Sequence, residues 1–580
     1  MLIDYFLIHA KNYLSTDDSY YLLSSCGKGY KTKQMQSTVR KIIKFASFLL
    51  VMPPLITLFV EKICQHYSQI RFTNIQENTS PECGIADVIA TKDCLDTHEW
   101  RKKLIGLAEH NIVISGNYCG DQAFNEVLTC ILARLREVKE LRVVIIAHPK
   151  FLKNNNKILM KKIRTYYKKR FVLIASPNIN LGFKNITNHT KCTVIDYGKY
   201  YIQGGTGIKD NFRYRGKFSK SKKTSVQPKT KDDAFCVKKE KKEKTAYDDI
   251  VISSINENVK KIDRSAVFEE KLLPNSFRDQ DFVFYHKQGE EGNAVYQEAL
   301  FLAYKWDRYA KDKSFPRENW DLKKLDPTDV LFKRYPTLLK NKTVKKPPEE
   351  NKNPLYHLLK TGIPLVISES QSSYKNFLFQ DACVDVNVRT FFTGPEDYQS
   401  DWKRNMIEKV RQAQKRIAID HMYFQPPSDL RKAIAEAANR GVKITIVTAL
   451  GSSAAPPTSE KFFAPRNLVN LFKLKQDVLT EKRDNLTFYS YAQGKNGLHK
   501  KVMIIDDYIL AGSGNMGTKS LTLIGDHEMN FEAKSQELAK KTMAIIQKDI
   551  LKSRKITNIN PSVRQRVQSM FHYWGSNKWG

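Results

Sequence analysis

The chain has 580 residues, a formal net charge of +35 and nine cysteines. That length leaves room for two large halves with a substantial core, and the basic excess, spread from end to end, favours polyanionic partners: nucleic acid or an anionic membrane surface. The cysteines are scattered, odd in number and without a C-x-x-C pair, so neither a disulfide framework nor a zinc site is indicated and a reducing compartment is expected.

Residues 1–85 form an N-terminal region with one apolar segment, 45–60 (FASFLLVMPPLITLFV). It is shorter than a spanning helix, is interrupted by Pro53-Pro54 and lies too deep in the chain for a signal peptide. Its basic flanks, Arg40, Lys41, Lys44 and Lys62, favour membrane contact over a buried core helix.

Two later stretches repeat one strand, helix, strand unit. NIVISGNY (111–118) leads into a helix at about 122–138 and the strand LRVVIIA (141–147). RIAIDHMYF (416–424) leads through Pro426-Pro427 into a helix at 430–441 and the strand VKITIVTAL (442–450). Each unit follows a helix expected to open near a tryptophan, Trp100 and Trp402. An internal duplication of two α/β halves explains the match, with the first half at 86–312 and the second, ending in a basic tail, at 376–580. The first half carries a Lys-rich, solvated and mobile insertion at about 215–275, and a linker region at 313–375 leads into the second.

The spacing H-x-K-x4-D occurs once in each half: His189, Lys191 and Asp196, then His499, Lys501 and Asp506. Each motif lies on an apolar alternating segment followed by a glycine turn, GGTG (204–207) and GSGN (512–515). On a strand, residues i and i+2 face one side, so each half offers an imidazole and an ammonium to one surface.

A phosphodiester repels anionic nucleophiles. Its cleavage needs fixed cations at the non-bridging oxygens, a neutral nucleophile and an acid for the leaving alcohol. Two histidines and two lysines meet these needs with no metal and no cofactor: one imidazole attacks phosphorus and the other serves as acid, then base. No cluster with metal-ligand spacing is expected.

These motifs, with YFQPP (423–427), AANRGVKITIV (437–447), NMGTKSL (515–521), Glu528 in HEMNFE, FRDQD (277–281) and the helix ending in Trp306, resemble the phospholipase D superfamily, nearest its cardiolipin-synthase-like and poxvirus-envelope-like branches. The resemblance implies two duplicated α/β/α sandwich halves packed around one shared active site. It makes His189 the nucleophile, His499 the acid and base, and Lys191 and Lys501 the phosphate-binding cations. Asp279 and Glu528 become candidates for orienting the histidines, and Ser513 and Asn515 fall near the phosphate. Asp196 and Asp506 are expected to hold the motif strands and turns. The first turn departs from the family pattern, with Gly207 where asparagine is usual.

A basic enzyme with an apolar segment suits an anionic phospholipid membrane, and phospholipid is the expected substrate, by hydrolysis or by transfer to an alcohol. The alternatives are a nuclease of the same superfamily, with Tyr118, Tyr423 or Phe424 stacking bases, and a catalytically weak membrane-remodelling protein. Asn188-His189-Thr190 is a glycan acceptor pattern that would block the nucleophile in a eukaryotic lumen. The catalytic halves of a membrane-associated protein are therefore expected to face the cytoplasm.

Overall fold

The computed structural model describes residues 84–167, 170–180, 185–212, 276–287, 292–312, 378–394, 401–451, 458–491, 497–521, 526–569 and 572. The apolar segment at 45–60, the insertion at 215–275, the linker at 313–375 and the end of the basic tail lie outside them.

The first half runs β1 Gly84–Ala90, α1 Cys94–Leu107, β2 Asn111–Gly116, α2 Asp121–Glu137, β3 Arg142–Ala147, α3 Asn154–Tyr166, β4 Phe171–Ala175, β5 Ile179–Asn180, β6 Asn185–Asn188, β7 Lys191–Ile195, β8 Tyr200–Gly204, β9 Phe277–Arg278, β10 Asp281–Tyr285 and α4 Asn293–Asp312. The second runs β11 Cys383–Thr393, α5 Asp401–Gln412, β12 Arg416–His421, α6 Ser428–Asn439, β13 Lys443–Thr448, α7 Thr458–Asp477, β14 Leu486–Tyr491, β15 Gly497–Leu498, β16 Lys501–Ile505, β17 Tyr508–Gly512, α8 Thr518–Leu521, β18 Asp526–Lys534, α9 Gln536–Leu551 and β19 Ser553–Lys555.

Strand pairing repeats between the halves. The first has the order β4-β3-β2-β7-β8-β10-β1, the second β14-β13-β12-β16-β17-β18-β11. In each, three parallel strands are followed by an antiparallel run, and the halves join through the antiparallel pair β1–β11. One sheet therefore passes through both.

The sequence accounts for these elements locally. β2 and β3 read NIVISG and RVVIIA and are buried almost throughout, the pattern of parallel strands covered on both faces. α2 buries Phe124, Val127, Leu128, Ile131 and Leu135, a stripe at helical spacing. Asp93 caps α1 by accepting from the Asp96 N–H, and Ser535 caps α9 by accepting from Leu538. Trp402 stands at the start of α5, whereas Trp100 lies mid-way along α1, because the Asp93 cap starts that helix earlier than the tryptophan spacing implies.

Three apolar clusters fill the layers. One joins α1, α2 and α3 to the first half of the sheet; another joins α5, α6 and α7 to the second. The third lies on the opposite face, where α4 and α9 pack and where Val88, Val144 and Trp306 share a core with Val502, Met529 and Phe531. Burying this common layer makes each half part of the other's core.

Candidate active site

The motif strands β7 and β16 lie antiparallel to the central strands β2 and β12. Their register sets Lys191 opposite Gly116 and Lys501 opposite His421, at the carboxyl ends of β2 and β12, the end of an open α/β sheet where ligands bind. Each histidine stands two residues ahead of its lysine and is tied to the other half. The His189 N–H donates to the His527 carbonyl (3.0 Å) and the His499 N–H to the Arg278 carbonyl (2.8 Å). Short parallel pairs, β6 with β18 and β15 with β9, hold these contacts.

The residue after each accepting carbonyl is a carboxylate, so the two halves exchange partners. His189 Nδ1 lies 2.9 Å from Glu528 Oε1, and His499 Nδ1 lies 2.6 Å from Asp279 Oδ2. A carboxylate only accepts, so Nδ1 carries the hydrogen in each pair and Nε2 is left with its lone pair. His189, Lys191, Asp279, His499, Lys501 and Glu528 are all buried.

The electrostatics differ between the pairs. Burial would raise the Glu528 carboxyl, but His189, Lys191 and the Ser513 hydroxyl pull it down to about 2. Ser513 Oγ donates to it at 2.6 Å and Ser520 Oγ at 2.9 Å. Asp279 is pushed up to about 6 by burial, against the pull of Lys501. Burial lowers His189; burial together with the charges of Lys501, Lys191 and His189 lowers His499 further. Burial brings the Lys191 ammonium down to about 8 and lowers that of Lys501. Phe212 and Phe277 flank the His499 ring, with centroids at 5.0 and 5.2 Å.

The other expected residues have different neighbours. Asp196 and Asp506 lie at the far ends of the motif strands, both at positive φ (48° and 50°). Asp196 accepts from the N–H groups of Glu109, His110 and Asn111, and Asp506 from those of Gln414, Lys415 and Arg416. They fasten the start of β2 and β12 and do not reach the histidines. Ser513 donates its hydroxyl to Glu528, while Asn515 lines a small cavity with His421 and Lys501. Gly207 has no room for asparagine: a Cβ there would lie 2.8 Å from Tyr118 Cβ and 3.0 Å from Phe212. At Gly205 it would lie 2.6 Å from the Asp279 carboxylate. The first glycine turn is thus shaped by the side chains packed on it.

Among the stacking candidates, Phe424 is fully buried, Tyr423 packs on Phe463, and Tyr118 packs on Phe151 and Phe212. Asn188 is 1% exposed and bonded to Ser115 and Thr190, so the folded chain does not present it for glycosylation.

Several neighbours were not expected from sequence. Ser520 braces Glu528, and Lys519 lies 2.8 Å from Asp526 while donating to Thr187. His189, Asp526 and Glu528 offer ligand atoms within 4.8 Å of one another, a metal-compatible group that linear spacing hides because β6 and β18 are 339 residues apart at this point. Behind the site, Lys500 pairs with Asp420 (3.1 Å) and with Asp549, and Asp549 also pairs with Arg278 (2.8 Å), all buried. Of these, Ser520 and Lys519 fall within NMGTKSL and Arg278 within FRDQD, stretches that carry the resemblance, but nothing in the sequence gives their partners.

Among the described residues no helix is long and apolar enough to cross a membrane. Residues 406–550 match the family model described as cardiolipin synthase, PLD-like domain. The probable cardiolipin synthase YwiE of Bacillus subtilis (strain 168) is 29% identical over 168 residues, 29% of this chain and 30% of that protein. The major cardiolipin synthase ClsA of the same organism is 25% identical over 174 residues, 30% of this chain and 33% of that protein. The match thus spans about a third of the curated relatives' length. The crystal structure of phosphatidylserine synthase from Haemophilus influenzae Rd KW20 superposes with a TM-score of 0.50 at 14% identity, covering 88% of this chain and 99% of that one. A fold shared along nearly the whole chain, a repeated strand order and a family model matching residues 406–550 support the resemblance to the phospholipase D superfamily, and over the second half to its cardiolipin-synthase-like branch.

Proposed function

We propose that the chain is a phosphatidyltransferase of the phospholipase D type, acting on membrane phospholipid through a phosphohistidine. The observation that carries the reading is the crossed pairing of two buried histidines with two carboxylates beside two buried lysines. The names of the cardiolipin synthase relatives favour transfer to an alcohol over hydrolysis and lipid degradation.

In this scheme Lys191 and Lys501 bind the non-bridging oxygens. The Nε2 lone pair of His189 attacks phosphorus, a P–N bond forms and the P–O bond to the leaving alcohol breaks, and His499, which takes up a proton on Nε2 when substrate binds, gives that oxygen its proton. The acceptor hydroxyl then returns a proton to His499 as its oxygen attacks phosphorus, and the P–N bond breaks to free His189. Glu528, held low and braced by two serines, keeps Nδ1–H of His189 pinned, which supports His189 as nucleophile. Asp279 orients His499. The groups that depress His499 include Lys191 and Lys501, whose charge a bound phosphate offsets, so substrate binding itself raises the acid's proton affinity.

The test is incubation of the purified chain with mixed phospholipids and an alcohol acceptor, and separately with single-stranded DNA. A new phosphodiester lipid or phosphatidic acid supports the reading. Cleaved DNA with unaltered lipid would replace it with the nuclease.

A further inference from the structure

Between Glu140 and Asp196 the sequence has no acidic residue and twelve Lys or Arg. The fold gathers much of this charge on α3. Its inner face buries Asn156, Met160 and Ile163. Lys157, Lys161 and Lys162 are exposed on the outer side, with Lys150 and Lys153 at the helix entry. None of these five lysines is ion-paired with a carboxylate among the described residues.

At 3.6 residues per turn, the middle of the outward face is Ile158, with Lys161 and Lys162 one turn on. Ile158 is 54% exposed and Tyr166, on the same side, 42%. The helix begins at the rim of the candidate site. Phe151, just before α3, lies under Lys209 and packs on Tyr118 (4.7 Å); Tyr118 reaches Phe212 (6.0 Å), and Phe212 touches His499 (5.0 Å).

We infer that the outward face of α3 docks the protein onto an anionic phospholipid bilayer, with the lysines at the headgroups and Ile158 and Tyr166 in the interface. The inference deepens the lipid reading above. Charge complementarity alone would also suit a nucleic acid. An aliphatic side chain at the centre of the face, ringed by long lysine stems, fits the headgroup and acyl boundary better than it fits a phosphate backbone.

The test is lysine footprinting on the full chain: acetylation of Lys157, Lys161 and Lys162 read by mass spectrometry with phosphatidylglycerol/phosphatidylcholine vesicles, with phosphatidylcholine vesicles and with single-stranded DNA. Protection of these lysines by the anionic vesicles alone, while exposed Lys482 and Lys552 keep their reactivity, is the expected result. The variant Lys157→Gln/Lys161→Gln/Lys162→Gln should lose affinity for anionic vesicles by roughly 100-fold, at about fivefold per lysine, and Ile158→Ser should weaken it further. Turnover of a short-chain phospholipid below its micellar concentration should not change. Equal acetylation with and without anionic vesicles, or protection by DNA only, overturns the inference. Footprinting needs no catalysis, so docking without lipid turnover would count against the proposed reaction alone, and turnover without protection against the docking face alone.

Discussion

At the scale of single residues, the two carboxylates and two lysines set a pH window. Asp279, pushed up to about 6 by burial, protonates below that value and then no longer accepts from His499 Nδ1. Lys191, brought down to about 8 by burial, loses its charge above that value, and with it one of the two cations proposed to bind phosphate. The active form therefore has Asp279 ionised, Lys191 charged and His499 protonated by substrate binding, and the first two requirements should make activity fall below about pH 6 and above about pH 8. Asp279→Asn should remove the acid limb, and a limb that stays in place would reassign it to another group. Activity should also survive EDTA, although His189, Asp526 and Glu528 could hold an ion: Glu528 is already bonded to His189 and two serines, and Asp526 is paired with Lys519. Loss of turnover on chelation, restored by a divalent ion, would make that group a metal site. Motif spacing reveals the histidines and lysines because strand periodicity fixes their common side. It does not reveal Asp526, Lys519 or His421, which approach only when β6 meets β18 and β12 meets β16.

Between residue and fold stand β9 and β15, two residues each, which carry the histidine-to-carboxylate register across the halves. Side chains alternate along a strand, so Lys500 points away from the face shared by His499 and Lys501, just as Arg278 points away from that of Asp279. Both reach Asp549 on α9, which lies at about 2 because the two cations outweigh the effect of burial. Asp549 thus clamps the backs of both strands. Asp549→Asn leaves two buried cations underneutralised and should cost about 3–5 kcal/mol of stability. If the clamp also positions the pair, kcat falls at unchanged KM, the acid limb of the pH profile moves, and Asp549→Glu recovers part of both. A variant that is merely less stable, with its pH profile unmoved, would reduce Asp549 to a structural role. Strands this short carry no periodic signal, and the sequence gives no reason to join residue 278 to residue 549. The longer elements are legible: expected boundaries for β2, β3, α2 and β13 fall within two residues of the observed ones, because apolar runs and helical stripes are local properties.

At the scale of the whole molecule, the duplication is the organising fact. Seven strands repeat in one order, and the halves complete each other by exchanging carboxylates: Glu528 serves the first motif and Asp279 the second. Duplication was legible in the paired units at 111–147 and 416–450, and the resemblance supplied both carboxylates. The exchange was not legible, since it depends on which strand edges meet. A site built this way has no working half, so His189→Asn and His499→Asn should each lower turnover by several orders of magnitude, and the double variant should be hardly worse than either. The most direct test is to trap the intermediate. With a phosphodiester whose leaving group needs no acid, His499→Asn should accumulate phosphohistidine on His189, detected by mass spectrometry at alkaline pH, and His189→Asn should form no adduct. An adduct found only on His499, or about half the native turnover in each single variant, would contradict the shared site or the roles assigned within it.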